Sequence, residues 1–180
     1  PISNEGIAMD WIGEYNKIQK ENKEVNFIIA PNVKELTEDF KKIYSSDKFI
    51  FLPNIYSPKN YNLKIEKNIK NCDEINVGCF GAIRPMKNHL PQAVAAIEFG
   101  DEIGKKIKFH INANRIEQKG EQVFKNLINL FKNTKHELVL HDWMNHEDFI
   151  NLVKQMDFGM QVSLTETFNI VAADFVYNEI

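Results

Sequence analysis

The 180-residue sequence contains little cysteine. Its two cysteines, Cys72 and Cys79, are too few for a disulfide framework, and neither has the spacing or the histidine partners of a zinc site. We expect both to be ordinary thiols. The five histidines are scattered, and none is spaced to share a metal with a second ligand on one helix, so no metal site is predicted.

Long apolar runs are also missing. No stretch reaches the roughly 18 consecutive apolar residues of a membrane-spanning helix, and the N-terminal residues lack the pattern of a signal peptide. The net charge of −3 and the pI of about 6.0 do not favour nucleic acid as a partner. We therefore expect a soluble, cytoplasmic chain that binds small molecules or proteins. Contact with a membrane surface is expected only through parts of a longer protein.

The hydrophobic content of 43% is enough for one core, in one domain or slightly more. Residues 75–180 alternate predicted strands and helices. Strands are predicted over 75–80, 108–113, 137–141 and 158–162, and helices over 90–99, 120–132, 146–156 and from 168 onward. This alternation predicts an α/β, Rossmann-like parallel sheet with helices on both faces. Ligands of such sheets bind beyond the carboxyl ends of the strands.

The first 71 residues follow a different pattern. A polar helix over 10–24 is followed by a predicted strand, helix and strand over 26–30, 33–44 and 48–52. One strand-helix-strand unit cannot form a domain by itself. The polar stretch 59–71 is either a linker between two domains or a surface loop within one. We favour the linker, which assigns 1–58 to the end of one domain and 72–180 to a second.

The segment from Ser163 to Asp174, SLTETFNIVAAD, places polar residues ahead of an apolar helix that has one acid inside it. If the helix begins near Phe168, its first N–H groups and its positive dipole end form an anion site. Asp174 follows Glu166 by eight residues, roughly 12 Å along a helix, so the two carboxylates would flank the anion. A nucleotide-diphosphate sugar has this form, with phosphates in the middle and hydroxyls at both ends.

A capped core helix is the alternative for the same segment. Thr165 or Thr167 would then be the N-cap, and Asp174 would lie on a narrow solvent-facing strip. The neighbours of Asp174 are almost all apolar, however, and aspartate is rarely buried unless it is paired. We therefore favour a functional acid.

The loop 81–89, GAIRPMKNH, follows the first predicted strand and carries two basic residues, Arg84 and Lys87, close to Gly81. Arginine is rare in this chain, and its planar guanidinium matches phosphate oxygens, so Arg84 is a candidate phosphate ligand. The alternative is a surface turn with two solvated charges.

Two further loops follow the second and third strands. Trp143, in the loop after the third strand, either lines a ligand pocket or packs in the core. We assign Asn114 and Arg115, after the second strand, no role beyond a weak polar contact.

These segments resemble the retaining glycosyltransferases of the GT-B fold that carry the E-x7-E signature (group 1). Glu166 stands at the first acidic position, Asp174 at the second, and Lys87 at the lysine of the phosphate-binding loop. The resemblance implies that Glu166 contacts the donor sugar and Asp174 the ribose. Ala82 stands where the family has arginine, and Asn169 where it has glycine.

The resemblance also implies a retaining, metal-independent transferase whose substrate is a nucleotide-diphosphate sugar and which has no cofactor. Lys87, Arg84 and the N–H groups of Thr167 to Asn169 would stabilise the departing diphosphate. The other implied donor-binding residues are Gly81, Trp143, Ser163, Phe168 and Asp174.

A glycan or other acceptor would be bound mainly by the preceding N-terminal domain, of which the chain has only the end. The family also has a further strand and helix after the last predicted helix. We therefore expect this chain alone to bind nucleotide sugar weakly and to turn it over negligibly. The alternatives are a non-catalytic nucleotide-binding or assembly module of the same fold and a nucleotide-sugar epimerase.

Overall fold

The structure, a computed structural model, describes residues 2–22, 24, 27–45, 47–57, 73–166 and 168–180. The chain forms two compact units, Pro1–Ile55 and Tyr56–Ile180. The predicted linker, Cys72 and Thr167 lie outside the described residues. None of the helices described is long and apolar enough to cross a membrane.

The first unit consists mainly of two helices, α1 (Ile2–Glu21) and α2 (Lys34–Tyr44). The strands predicted over 26–30 and 48–52 are wrong as continuous strands, because their described residues form only one parallel bridge, between Ile29 and Phe49. Among the described residues, each segment pairs only with the other, and a pair of strands is marginal without a larger sheet.

The second unit contains a parallel sheet flanked by helices, which confirms the predicted fold class. The strands are β1 (Glu74–Gly78), β2 (Lys106–Asn112), β3 (Glu137–His141) and β4 (Phe158–Gly159), in the order β3-β2-β1-β4. The helices are α3 (His89–Glu102), α4 (Glu121–Phe131), α5 (His146–Val153) and α6 (Ile170–Tyr177), and a 3₁₀ turn spans Pro85–Lys87. Strand β4 is shorter than predicted because only its two residues pair with β1.

Each face of the sheet has its own apolar core. On one face, alternate residues of β1 and β2 pack with α3 and α4; they are Ile75, Val77, Ile107, Phe109 and Ile111. On the other face, the core joins the end of β1 to α5 and α6 through Phe80, Val153, Met156 and Phe175. Strands that are covered on both faces by βα crossovers require this arrangement.

Helix α6 lies unusually close to the sheet. The ring of Phe175 occupies a notch formed by Gly78 and Gly159, which are paired in register on β1 and β4. A Cβ on either glycine would come within 2.6 Å of this ring, so no side chain fits at these positions. The notch places Asp174, the residue before Phe175, in a buried position.

Candidate functional site

The loop that follows β4 is hydrogen-bonded to the loop after β1 and to helix α3 at the carboxyl edge of the sheet. The backbone N–H of Leu164 donates to the carbonyl of Met86 over 2.8 Å. The N–H of Val162 donates to the side-chain oxygen of Gln92 over 2.9 Å. Because of these bonds, Lys87 and Glu166 come together although they are 79 residues apart in sequence.

Lys87 and Glu166 form an ion pair through Nζ and Oε2. The Lys87 side chain is only 11% exposed, so the surface-turn interpretation of this lysine is wrong. Burial raises the pKa of the Glu166 carboxyl, but the hydrogen bond and charge of Lys87, with smaller effects of Ser163 and Arg84, outweigh it and hold that pKa below its usual value. Glu166 therefore favours the carboxylate form next to the ammonium group.

Two side chains of this region contain buried nitrogens that lack hydrogen-bond partners within the described part of the chain. These atoms are Nε of Arg84 and both ring nitrogens of His89. Burial, followed by the positive charge of Lys87, lowers the pKa of His89 to about 4, so its ring is neutral at pH 7. Unpaired buried groups of this kind destabilise a fold, and a functional site is one place where they are tolerated. Sequence reasoning did not identify His89.

A cavity of about 160 Å³ lies at the carboxyl ends of β1, β2 and β3. Its lining comprises Gly81, Asn112, Asn114, Arg115, Trp143, Met144, Phe149 and Val171. Sites that enclose a whole small ligand measure about 300–1,000 Å³, so this cavity suits one ring system. Trp143 is 77% exposed, and the interpretation as a core aromatic is therefore wrong.

Gly81 connects this cavity to the ion pair. Its φ of +115° is a conformation that favours glycine, and its N–H donates to Oδ1 of Asn112 over 2.9 Å. A Cβ at Gly81 would lie 3.8 Å from Cε of Lys87, so the lysine adjoins the rim of the cavity. Asn112 was not predicted, although its position at the end of a parallel strand is the signal that could have identified it.

Helix α6 begins at Ile170 rather than near Phe168, because Asn169 is its N-cap. Oδ1 of Asn169 accepts from the N–H of Ala172 over 3.1 Å, and its Nδ2 donates to Gln161 over 3.1 Å. The described Thr165 is therefore not the N-cap. Part of the predicted anion site at this helix end is occupied by the Asn169 side chain, and Thr167 lies outside the described residues.

Asp174 is 1% exposed, so the solvent-facing interpretation is wrong. Its Oδ1 accepts from the hydroxyl of Tyr56 over 2.6 Å and from Nε2 of His146 over 3.0 Å. Sequence reasoning missed both partners, which lie 118 and 28 residues away and share no local pattern with the acid. The ribose contact of Asp174 stays a prediction.

A chain of hydrogen bonds crosses the sheet on the face that α5 and α6 cover. Asp157 accepts from the N–H of Asn76 over 2.8 Å, and Oδ1 of Asn76 lies 3.2 Å from Nε2 of His110. Nδ1 of His110 lies 2.8 Å from Nε2 of His141, which ends β3. Burial and then the charge of His141 lower the pKa of His110 to about 4, and burial lowers the pKa of His141. Both rings are therefore neutral at pH 7, and the bonds hold the start of the Trp143 loop.

No family model matches the sequence, and no curated protein matches it significantly. The structure is similar to a crystal structure of a variant of S. aureus TarM in complex with fondaparinux, alpha-GlcNAc-glycerol and UDP. The TM-score is 0.61, over 92% of this chain and 31% of the TarM chain, at 12% sequence identity. The four-stranded parallel sheet with its helices matches one Rossmann-like half of a GT-B fold. The chain spans about a third of the length of TarM, and at this identity the likeness shows the fold alone.

Proposed function

We propose that this chain is the donor-binding part of a retaining glycosyltransferase that uses a nucleotide-diphosphate sugar. The fold supports the class of protein, and the single observation that carries the proposal is the Lys87–Glu166 ion pair at the rim of the cavity. An ammonium group and a carboxylate, close together at the carboxyl edge of a parallel sheet, suit a ligand that has phosphates next to a sugar.

In this proposal, the nucleobase enters the cavity against Trp143, and the diphosphate lies beside Gly81 and Lys87. Arg84 is the second cation within reach of that loop. Positive charge at this position stabilises the negative charge that develops on the leaving diphosphate, and this effect does not require a metal. Ala82, at the position of the family arginine, is 7% exposed and has no charge to contribute, so Lys87 carries most of this task.

The ion pair also indicates an order of contacts. In the structure, Glu166 is the partner of Lys87. A diphosphate carries more charge than one carboxylate, so it draws the ammonium group away from Glu166. The released carboxylate can then accept a hydrogen bond from a sugar hydroxyl. Glu166 therefore contributes to binding of the nucleotide sugar, and Lys87 contributes to binding of the nucleotide with or without the sugar.

Calorimetry with UDP, GDP and their sugars tests the proposal. We expect Lys87→Ala to weaken binding of both the nucleotide and the nucleotide sugar at least about tenfold, a loss of about 1.4 kcal/mol. Glu166→Ala should weaken binding of the nucleotide sugar and leave binding of the bare nucleotide unchanged or stronger, because it frees Lys87. Lys125→Ala, which removes an exposed lysine of α4, is the matched control. Equal affinities of the Lys87→Ala and wild-type chains would contradict the proposal.

A non-catalytic nucleotide-binding module of the same fold is the second candidate. The side-chain cap of Asn169 favours it, because this cap takes up an N–H group at the end of α6 that could otherwise face a phosphate. Such a module would bind the nucleotide and its sugar with the same affinity, and Glu166→Ala would not separate them. The same titrations therefore distinguish the two candidates.

A further inference from the structure

Asp174 is fixed from two directions. Helix α6 is held on the sheet by Phe175, the next residue, in the notch of Gly78 and Gly159. The carboxylate accepts hydrogen bonds from Tyr56 and His146, both of which lie outside α6. A buried carboxylate must be paired, and here both partners come from other parts of the second unit.

His146 connects Asp174 to the loop that lines the cavity. It is the first residue of α5, and the loop that precedes it, residues 142–145, carries Trp143 and Met144 into the cavity lining. The residue before the loop is His141, the last residue of β3. Its ring bonds to His110, and its carbonyl accepts from the N–H of Ala113 over 2.9 Å. The loop is therefore held at one end by the sheet and at the other end by the hydrogen bond from His146 to Asp174.

Tyr56 completes the arrangement. Its hydroxyl gives the short bond to Asp174, and its ring packs edge-on against Tyr177 of the same helix at a centroid distance of 6.0 Å. Tyr56 therefore holds both the carboxylate and the helix that carries it. A carboxylate with two donors on one oxygen keeps its orientation toward His146 better than one with a single donor.

We propose that Asp174 is a positioning residue, which sets the Trp143 loop through His146 and so determines how the cavity accepts a nucleobase. The identity of the ligand rests on the proposed function; the positioning does not. This role differs from the direct ribose contact that the family resemblance implies for Asp174, and the two roles predict different results.

The first measurement needs no ligand. In a Trp11→Phe background, Trp143 is the only tryptophan, and its fluorescence anisotropy reports the freedom of the loop. We expect Asp174→Asn and His146→Ala to lower this anisotropy, and His146→Gln, which keeps a donor, to restore most of it. Tyr56→Phe, which removes the other donor to Asp174, should lower it as well, and Tyr177→Phe is its matched control because it removes a hydroxyl from the same aromatic pair. Unchanged anisotropy in both Asp174→Asn and His146→Ala would overturn the proposal.

The second measurement compares a nucleotide, which has a nucleobase, with inorganic pyrophosphate, which has none. We expect Asp174→Asn and His146→Ala each to weaken binding of UDP or GDP by about tenfold and to leave binding of inorganic pyrophosphate unchanged. The double variant should be no weaker than Asp174→Asn alone, because both changes break the same contact. If Asp174→Asn alone weakens binding, and the effect disappears with a nucleotide that lacks the ribose 2′-hydroxyl, Asp174 contacts ribose and the proposal is wrong.

The two measurements also separate this proposal from the proposed function. If the wild-type chain binds no nucleotide, the proposed function fails, while the anisotropy of Trp143 still decides whether Asp174 positions the loop. His146→Ala keeps the test available if Asp174→Asn does not fold, since the His146 side chain is 47% exposed and tolerates replacement.

Discussion

Glu166 and Asp174, the two acids of the candidate site, lie in different surroundings. The side chain of Glu166 is 25% exposed and pairs with a lysine, whereas the side chain of Asp174 is 2% exposed and is held by a phenol and an imidazole. A ligand can replace the partner of the first acid without disturbing the fold. The partners of the second acid are part of the fold. Two carboxylates in one site can therefore have different roles, one in binding a ligand and one in holding the structure.

The largest effect that tests this comparison is a difference in stability. We expect Asp174→Leu to lower the free energy of unfolding by about 2–4 kcal/mol, because the buried hydrogen bonds that Tyr56 and His146 donate to the carboxylate are both lost. Glu166→Gln should change it by less than about 1 kcal/mol, since the pair with Lys87 is partly exposed. Urea unfolding of the two variants measures the difference. Similar losses in both would show that the two surroundings are equivalent.

A smaller effect, of opposite sign, is expected at His89 on the Lys87 side of the site. Both of its ring nitrogens are buried and have no hydrogen bond to any described residue, so His89→Leu removes two polar atoms that the described residues leave unpaired. We expect the free energy of unfolding to rise by about 1–2 kcal/mol, within the range that one unsatisfied buried group costs. Thermal unfolding measures the change in stability. Calorimetry with UDP shows whether affinity for the nucleotide falls at the same time, because functional sites often trade stability for activity. A loss of stability would mean that the imidazole has favourable contacts.

The dependence of stability on pH tests the surroundings of two buried histidines, His89 and His110. The pKa values of His89 and His110 in the folded chain are about 4, below the usual 6.5, so the unfolded chain binds protons first as the pH falls. Stability is therefore complete above about pH 6.5 and declines toward pH 4, at no more than about 1.4 kcal/mol per pH unit for each histidine. His89→Leu and His110→Gln should each flatten this profile in urea unfolding between pH 4 and 7. A profile that neither variant changes would contradict the assigned pKa values.

The two compact units show how far hydrophobic periodicity predicts structure. In the second unit, it predicted the helices and the first three strands close to their observed bounds. In the first unit, it also predicted helix α2 to within one residue at its start. Two apolar residues of α2 at helical spacing are nevertheless exposed, Leu36 at 41% and Ile43 at 59%. A period determines which face of a helix is apolar, but burial requires a second surface.

Some residues of the candidate site could be predicted from the sequence, and others could not. The strand-end loops, Lys87, Glu166 and Trp143 could be selected from sequence, because parallel strands bring their carboxyl ends to one edge and polar residues stand there. The Asn169 cap was within reach of sequence reasoning as well, since asparagine is a preferred N-cap residue, but the start of α6 was placed too early.

The sequence by itself determined the alternation of strands and helices, the edge at which a ligand would bind and the presence of an acid inside an apolar helix. Only the tertiary structure decided what holds that acid. Tyr56 and His146 reach Asp174 across 118 and 28 residues, and two glycines on neighbouring strands set the depth of its helix. Local patterns follow from backbone geometry within a few residues, whereas the partner of a buried charge depends on which distant surfaces pack together.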